Sequence, residues 1–402
     1  MSRPLVSFAV FILVSLCILG GMHAYLWLRL VRDPGLPEPW RRIFTVLLAL
    51  LALGIPAGLF MTRLASGWVA RIAPLAAATW LGIAFVLFCT VAALDLARLA
   101  GNGLAFVLEW MRTRPDPPAD PERRLLLARA LAGGAALAAG GVSALAARSA
   151  LGPAEIEDVP VKLDRLPPAL SGFTIAQISD LHVGPALRDR QVRRVVEQTN
   201  ALRPDLIAIT GDLVDGSVPE LGAVVAELAN LRARHGVVFV TGNHEYYSGV
   251  GPWLRELRRL GIRVLSNEVV RVGDAGASFD LAGVDDWRAA GEAPGGYPTV
   301  LNGALAGRDP DRSLVLLQHQ PRGLDEAVQA GVELQLSGHT HGGQIFPFSL
   351  LVAAAYPYIV GLHRHTSGQR SGQVFVSRGT GFWGPPMRLG SPPEIARVVL
   401  TR

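Results

Sequence analysis

FTIAQISDLH, residues Phe173 to His182, is a short apolar run that ends on Ser179, Asp180, Leu181 and His182. The run is too short for a helix and rich in β-branched and aromatic residues, so it predicts a buried strand at Phe173–Ser179. Four further segments repeat the arrangement. LIAITGD (Leu206–Asp212) ends on Gly211-Asp212, and VVFVTGNHE (Val237–Glu245) ends on Gly242-Asn243-His244-Glu245. SLVLLQHQP (Ser313–Pro321) ends on Gln318-His319-Gln320-Pro321, and ELQLSGHTHGG (Glu333–Gly343) ends on Gly338-His339-Thr340-His341-Gly342-Gly343. Gln373–Ser377 reads as another strand, and Gln191–Asn200, Pro219–His235, Gly251–Leu260 and Gly323–Ala330 read as helices. Strands alternating with helices predict an α/β domain with its chemistry at the carboxyl ends of the strands. One Asp or His at a strand end is ordinarily a cap or a loop residue. Five in series, three of them preceded by a Gly that lets backbone approach closely, form a pattern.

Imidazole and carboxylate ligands without sulfur suit Mn²⁺, Fe or Zn²⁺. Both cysteines, Cys17 and Cys89, lie in apolar runs of the first part, so no thiolate site can be built in the second. The donors suffice for two divalent cations, and a shared carboxylate is the natural way to hold such a pair about 3.5–4 Å apart. Asp-x-His, Gly-Asp, Gly-Asn-His-Glu, a later His and Gly-His-x-His, in this order, resemble the metal signature of the calcineurin-like metallophosphoesterase superfamily. Ser377-Arg378-Gly379-Thr380-Gly381, Pro385-Pro386-Met387-Arg388-Leu389 and Pro392-Pro393-Glu394-Ile395 resemble its membrane-attached or exported bacterial branch, the YkuE/YaeI-like phosphoesterases.

The resemblance implies a four-layer α-β-β-α sandwich over residues 155–402, and a metal-dependent phosphoester hydrolase. It also implies that Asp180, His182, Asp212 and His341 bind one metal, and that Asp212 bridges to a second held also by Asn243, His319 and His339. Two cations flanking a water lower its pKa, so that hydroxide attacks phosphorus in line while charge on the phosphoryl oxygens is neutralised. His244, adjacent to Asn243, is expected to hydrogen-bond the substrate and protonate the leaving oxygen. Orienting a ligand is its alternative role. Glu245 is expected to be structural, Asp215, Asp285 and Asp286 to be turn or supporting residues, and His235 to cap a helix.

The 402 residues are 50% hydrophobic and 18% charged, which excludes a disordered chain and argues against a purely soluble one. Residues 1–150 hold 14 Arg, no Lys and 7 acidic residues, whereas 151–402 hold 24 Lys+Arg against 26 Asp+Glu. The basic excess therefore belongs to the first part, and no clustered basic face for nucleic acid is visible on the second. Four apolar stretches, 5–28, 43–62, 72–94 and 125–147, are long enough to cross a bilayer. The last is rich in Ala and Gly and carries Arg129 one turn in, where it can snorkel. Leu96–Met111 reads as a helix along the membrane surface, and Arg114–Pro121 as a linker. Counting Arg in alternate loops gives nine (Arg29, Arg32, Arg41, Arg42, Arg98, Arg112, Arg114, Arg123, Arg124) against four (Arg3, Arg63, Arg71, Arg148). The richer set belongs in the cytoplasm, which leaves 149–402 extracytoplasmic.

These readings point to a multi-pass cell-membrane phosphoesterase, a phosphodiesterase by preference, on lipid-linked or envelope phosphoesters. One alternative is a cytoplasm-facing pyrophosphatase of a nucleotide-activated lipid such as UDP-2,3-diacylglucosamine. Another is a non-catalytic membrane sensor or transporter; against transport, the spans hold almost no ionisable residue besides His23 and Arg129. Ile345–Leu362 contains no charged residue. It reads either as a flap dipping into the membrane or as a hairpin folded onto the protein, with His363 and His365 following as loop residues.

Overall fold

The computed structural model describes residues 3–64, 67–110, 121–292 and 296–402. The chain forms two compact units, 1–146 and 147–402. Four long helices begin it: α1 (Arg3–Trp27), α2 (Glu38–Leu64), α3 (Gly67–Trp110) and α4 (Pro121–Leu151). Each is long and apolar enough to cross a membrane. The surface helix expected at Leu96–Met111 is instead the continuation of α3 as far as Trp110, since no proline interrupts residues 96–110. Residues 111–120, which include most of the expected linker, lie outside the described residues. Polar groups of the first unit pair with one another. Arg129 donates to the carbonyls of Pro34 and Gly35 at 3.0 and 3.3 Å. Trp80 donates to Nε2 of His23 at 3.0 Å, and Asp95 accepts from Tyr25 and pairs with Arg29 at 2.8 Å.

The second unit is built on two six-stranded sheets. In spatial order the first holds β1 (Glu155–Lys162), β12 (Glu394–Thr401), β2 (Phe173–Ile178), β3 (Leu206–Ile209), β4 (Val237–Phe239) and β5 (Arg263–Val264). The second holds β10 (Gly361–Ser367), β11 (Arg370–Val376), β9 (Leu334–Ser337), β8 (Leu314–Leu317), β7 (Ala277–Gly283) and β6 (Glu268–Asp274). The helices are α5 (Asp189–Ala201), α6 (Val218–Val225), α7 (Asn243–Ser248), α8 (Val250–Arg259), α9 (Trp287–Glu292), α10 (Gly296–Ala304), α11 (Leu324–Gln329) and α12 (Phe348–Ala355).

The apolar runs are continuous because these strands are buried on both faces. Leu206 and Ala208 of β3 join Val238, Leu281, Val315, Leu317 and Leu336 in the core between the sheets. Ile207 and Ile209 face the other way, against Val192 and Val196 of α5, Val224 of α6 and Trp253 of α8. On the far side Leu314 and Leu316 of β8 meet Tyr297 and Leu301 of α10 and Ala327 of α11. Three apolar layers thus separate four structural ones, giving the α-β-β-α sandwich. β2, β3 and β4 run parallel, as do β7, β8 and β9. Their carboxyl ends therefore open at one end of the domain.

The expected helix Pro219–His235 is shorter. α6 ends at Val225, a 3₁₀ turn covers Ala226–Asn230, and the chain then extends. The side chain of Asn200 explains the stop: it donates to the carbonyl of Asn230 and accepts from the amide of Arg232, replacing helical bonds. His235 consequently caps no helix, and its ring rests 5.4 Å from that of Phe173.

Candidate metal centre

The loops after β2, β3 and β9 hold their polar residues in a conformation that side chains seldom adopt. Asp180, His182, Asp212, His339 and His341 all have φ between 49° and 71°. Non-glycine residues in this region are uncommon, and a cluster of them marks a functional site. Glycines permit the crowding. A Cβ on Gly242 would lie 2.2 Å from Oδ1 of Asp212, and one on Gly338 would lie 2.0 Å from Oγ of Ser179 and 2.1 Å from Oδ2 of Asp180. Side chains and amides then fix the carboxylates. Asp180 accepts from the amide of His339 at 2.9 Å, and Oδ1 of Asp212 accepts from the amide of His244 at 2.8 Å. Glu245, buried, accepts from the amides of Asp212, Leu213 and Gly242, so it ties the loop after β4 to that after β3.

The candidate donor atoms converge in two adjoining groups joined by a third. Asp180, His182 and His341 bring one donor each within 4.8 Å of one another, as do Asp212, His319 and His339, and His182, Asp212 and His244 form the group between them. Nε2 of His182 lies 3.1 Å from Nε2 of His341 and 3.9 Å from Oδ2 of Asp212. The same Asp212 oxygen lies 3.1 Å from Nε2 of His319, and Nδ1 of His339 lies 3.3 Å from that His319 nitrogen. Asn243 is buried, and its Oδ1 has no hydrogen-bond partner among the described residues. A buried orphan acceptor costs about 1–3 kcal/mol, a cost that a cation beside it removes. The carbonyl of Thr210, 2.8 Å from Nδ1 of His319, fixes that ring with its proton away from the cluster. Carboxylate, imidazole and amide oxygen without sulfur are a donor set that fits divalent Mn, Fe or Zn.

The electrostatics carry the same signature. Burial alone would raise the Asp212 carboxyl, but His319, His182 and His244 hold it well below the usual carboxylate range. Desolvation pushes Asp180 up. Burial opposes a charged His182, yet Asp215, Asp212 and Asp180 raise it to about 9; Asp212 raises His319 in the same way. Burial and His319 depress His339 to about 3, while burial, Arg388 and His182 depress His341. The buried carboxylates thus favour the charged forms of His182 and His319, calling for positive charge at this place.

His244 projects beside this cluster on the first turn of α7. Asp215 approaches its Nδ1 to 2.5 Å and Nδ1 of His182 to 3.2 Å. The parallel bridge between Val183 and Val214 lays the two loops side by side and carries Asp215 into place. Nε2 of His244 is left facing the cluster, 3.9 Å from Oδ2 of Asp212. Three more residues join the site. Arg388, buried, donates to the carbonyls of Gly381, His341 and Arg378 and sits 2.9 Å from Nδ1 of His341. Tyr356, at the end of α12, places its hydroxyl 2.8 Å from Nε2 of His339. Trp383, 6.0 Å from His244 ring to ring, is exposed. Of these, Arg388 falls in a motif the sequence displays but whose role no spacing reveals.

The remaining polar residues lie elsewhere. Asp285 accepts from Ser266 and Asn267, and Asp286 accepts from Gln320 at 3.0 Å and from the amide of Arg288. His363 and His365 lie on β10, bonded to the carbonyl of Val360 and to Asp325. Ile345–Leu362 forms no hairpin on itself: it holds α12.

Residues 173–343 match the calcineurin-like phosphoesterase family. A Bos taurus protein named transmembrane protein with metallophosphoesterase domain is 38% identical over 336 residues, covering 81% of this chain and 73% of its own. Its Danio rerio namesake is 32% identical over 413 residues, covering 98% of this chain and 89% of its own, so that likeness extends through the apolar helices. The uncharacterized metallophosphoesterase YkuE of Bacillus subtilis is 30% identical, covering 58% of this chain and 81% of its own. With its ordered Asp, Asn and His motifs gathered at one end of the sandwich, this chain belongs to the calcineurin-like metallophosphoesterases.

Proposed function

We propose that this chain is a two-metal phosphodiesterase of the cell membrane, with its α/β domain on the extracytoplasmic side and membrane-borne phosphoesters as substrates. Asp180, His182, Asp212 and His341 hold one divalent cation, and Asp212, Asn243, His319 and His339 hold the other. One observation carries the reading: the Asp212 carboxylate lies at the junction of the two donor groups, in reach of His182 on one side and His319 on the other. Bound there, two cations supply Lewis acidity toward phosphoryl oxygens and acidify water. His244 donates a proton from Nε2 to the leaving oxygen, while Asp215 at Nδ1 fixes the ring's orientation.

The mouth supports a diester. Tyr247 and Trp383, both exposed, flank His244, and Tyr356 flanks His339, so aromatic surface is offered on two sides of the position for phosphorus. A diester carries an organic group on each side. The test is turnover of bis-p-nitrophenyl phosphate and p-nitrophenyl phosphate by the full-length protein with Mn²⁺. The diester is expected to be the better substrate, and Asp212→Ala to lower its turnover by about a thousandfold or more. Monoester turnover alone would overturn the diesterase assignment; no turnover of either ester with two metals bound would overturn the catalytic one.

A further inference from the structure

The apolar segment beside the metal centre forms a built surface. None of the eight residues of α12 is buried, and Phe346, Leu350 and Leu351 are 56, 64 and 66% exposed. Contiguous exposed apolar surface of this kind marks an interaction site. The segment is nevertheless fixed in place. A Cβ on Gly343 would fall 2.2 Å from Cα of Ser349, the amide of Phe346 donates to Leu389, and Thr340 donates to the carbonyl of Ile359. Its end is tied to the chemistry, since the Tyr356 hydroxyl meets both Nε2 of His339 and the Arg322 guanidinium, the latter at 3.1 Å.

We propose that α12 with Phe346 is a lip that enters the acyl region of a lipid surface, and that Arg322 at its base receives an anionic headgroup. This rests on the phosphodiesterase reading and names the substrate class of that site as phospholipids. Two features favour lipid as the occupant. Residues 345–362 carry no charge while Arg322 beside them supplies a cation, which is the complement of an acyl chain below a phosphate. The lip is also continuous with the catalytic mouth through Tyr356.

The test uses the full-length protein in vesicles of phosphatidylcholine and phosphatidylglycerol. Native cysteines are removed (C17S, C89S), and an environment-sensitive fluorophore is placed at Leu351→Cys or at Gln369→Cys. Gln369 lies in the turn between β10 and β11, at the opposite end of the second sheet. Spin-labelled lipids are expected to quench position 351 and spare position 369. Equal quenching at both, or a blue-shifted 351 signal that lipid quenchers leave unchanged, would overturn the proposal, the latter by revealing a protein cover. In a second arm, Leu350→Glu with Leu351→Glu is expected to lower phosphatidylglycerol hydrolysis about tenfold relative to bis-p-nitrophenyl phosphate. An unchanged ratio contradicts the lip as a substrate guide. Failure to hydrolyse the soluble ester at all would strike the phosphodiesterase reading, while the quenching arm still judges the lip.

Discussion

Asp215 touches two imidazoles at once, the prospective ligand His182 and the prospective acid His244. Replacing it by Asn keeps the shape and removes the charge that orients both rings. Asp215→Asn is expected to lower kcat for the soluble diester by about 10- to 100-fold, with thermal stability close to the parent's; unchanged kcat would show that the carboxylate only fills space. His182 and His319 set a second expectation. Each is held protonated by neighbouring carboxylates, His182 up to about 9, and each must lose its proton to ligate a cation. Metal binding at pH 7.5 should therefore release about two protons, and metal affinity should fall as pH falls below about 9. Calorimetry in buffers of different ionisation enthalpy reads this directly, and a buffer-independent enthalpy would contradict it. The donors were legible in the sequence because each ends an apolar run. Asp215 was legible only as a turn or supporting residue, because its approach depends on two loops lying side by side; Tyr356 was not legible as a site residue, because its partner His339 lies across a helix that the sequence does not announce.

Elements follow the same division. β3 and β8 read directly, since burial on both faces leaves unbroken apolar runs, and β2 and β9 read through the buried Gln177 and Gln335 that interrupt theirs. β1 does not: Glu155, Ile156, Glu157 and Asp158 are exposed and Pro160 interrupts the pattern, as an edge strand allows. β5 is two residues long and carries no pattern at all. α12 was hidden because an apolar run without charge gives no period to distinguish helix from hairpin. The glycines that crowd the centre give a prediction at this scale. Gly338→Ala drives a methyl into Ser179 and Asp180 and should destabilise the domain by about 1–3 kcal/mol and lower bound metal. Gly303→Ala, on α10 with open space around it, should leave both unchanged or slightly improved. Melting temperature and metal content of the two variants decide it, and equal behaviour would contradict the packing argument.

At the scale of the whole molecule, four membrane-length helices precede the sandwich, and four is the number on which the sidedness argument depends. With nine Arg on one set of loops and four on the other, alkaline phosphatase fused after Arg402 should be active and a cytoplasm-dependent fluorescent protein dark. The reverse pattern would place the centre in the cytoplasm and favour a nucleotide-activated lipid as substrate. Length and apolar composition made the four long helices readable from sequence. The extension of α3 to Trp110 was not, because apolar residues at 96–110 do not tell a continued helix from a separate one. The central claim is that two cations sharing Asp212 perform the hydrolysis. Its most direct test is a titration of metal-free, full-length protein with Mn²⁺, following bound metal and bis-p-nitrophenyl phosphate turnover together. Turnover should appear as the second equivalent binds, with about two ions per chain at saturation, and Asp212→Ala should lose both. Full turnover with one ion bound, or turnover that Asp212→Ala retains, would contradict the account.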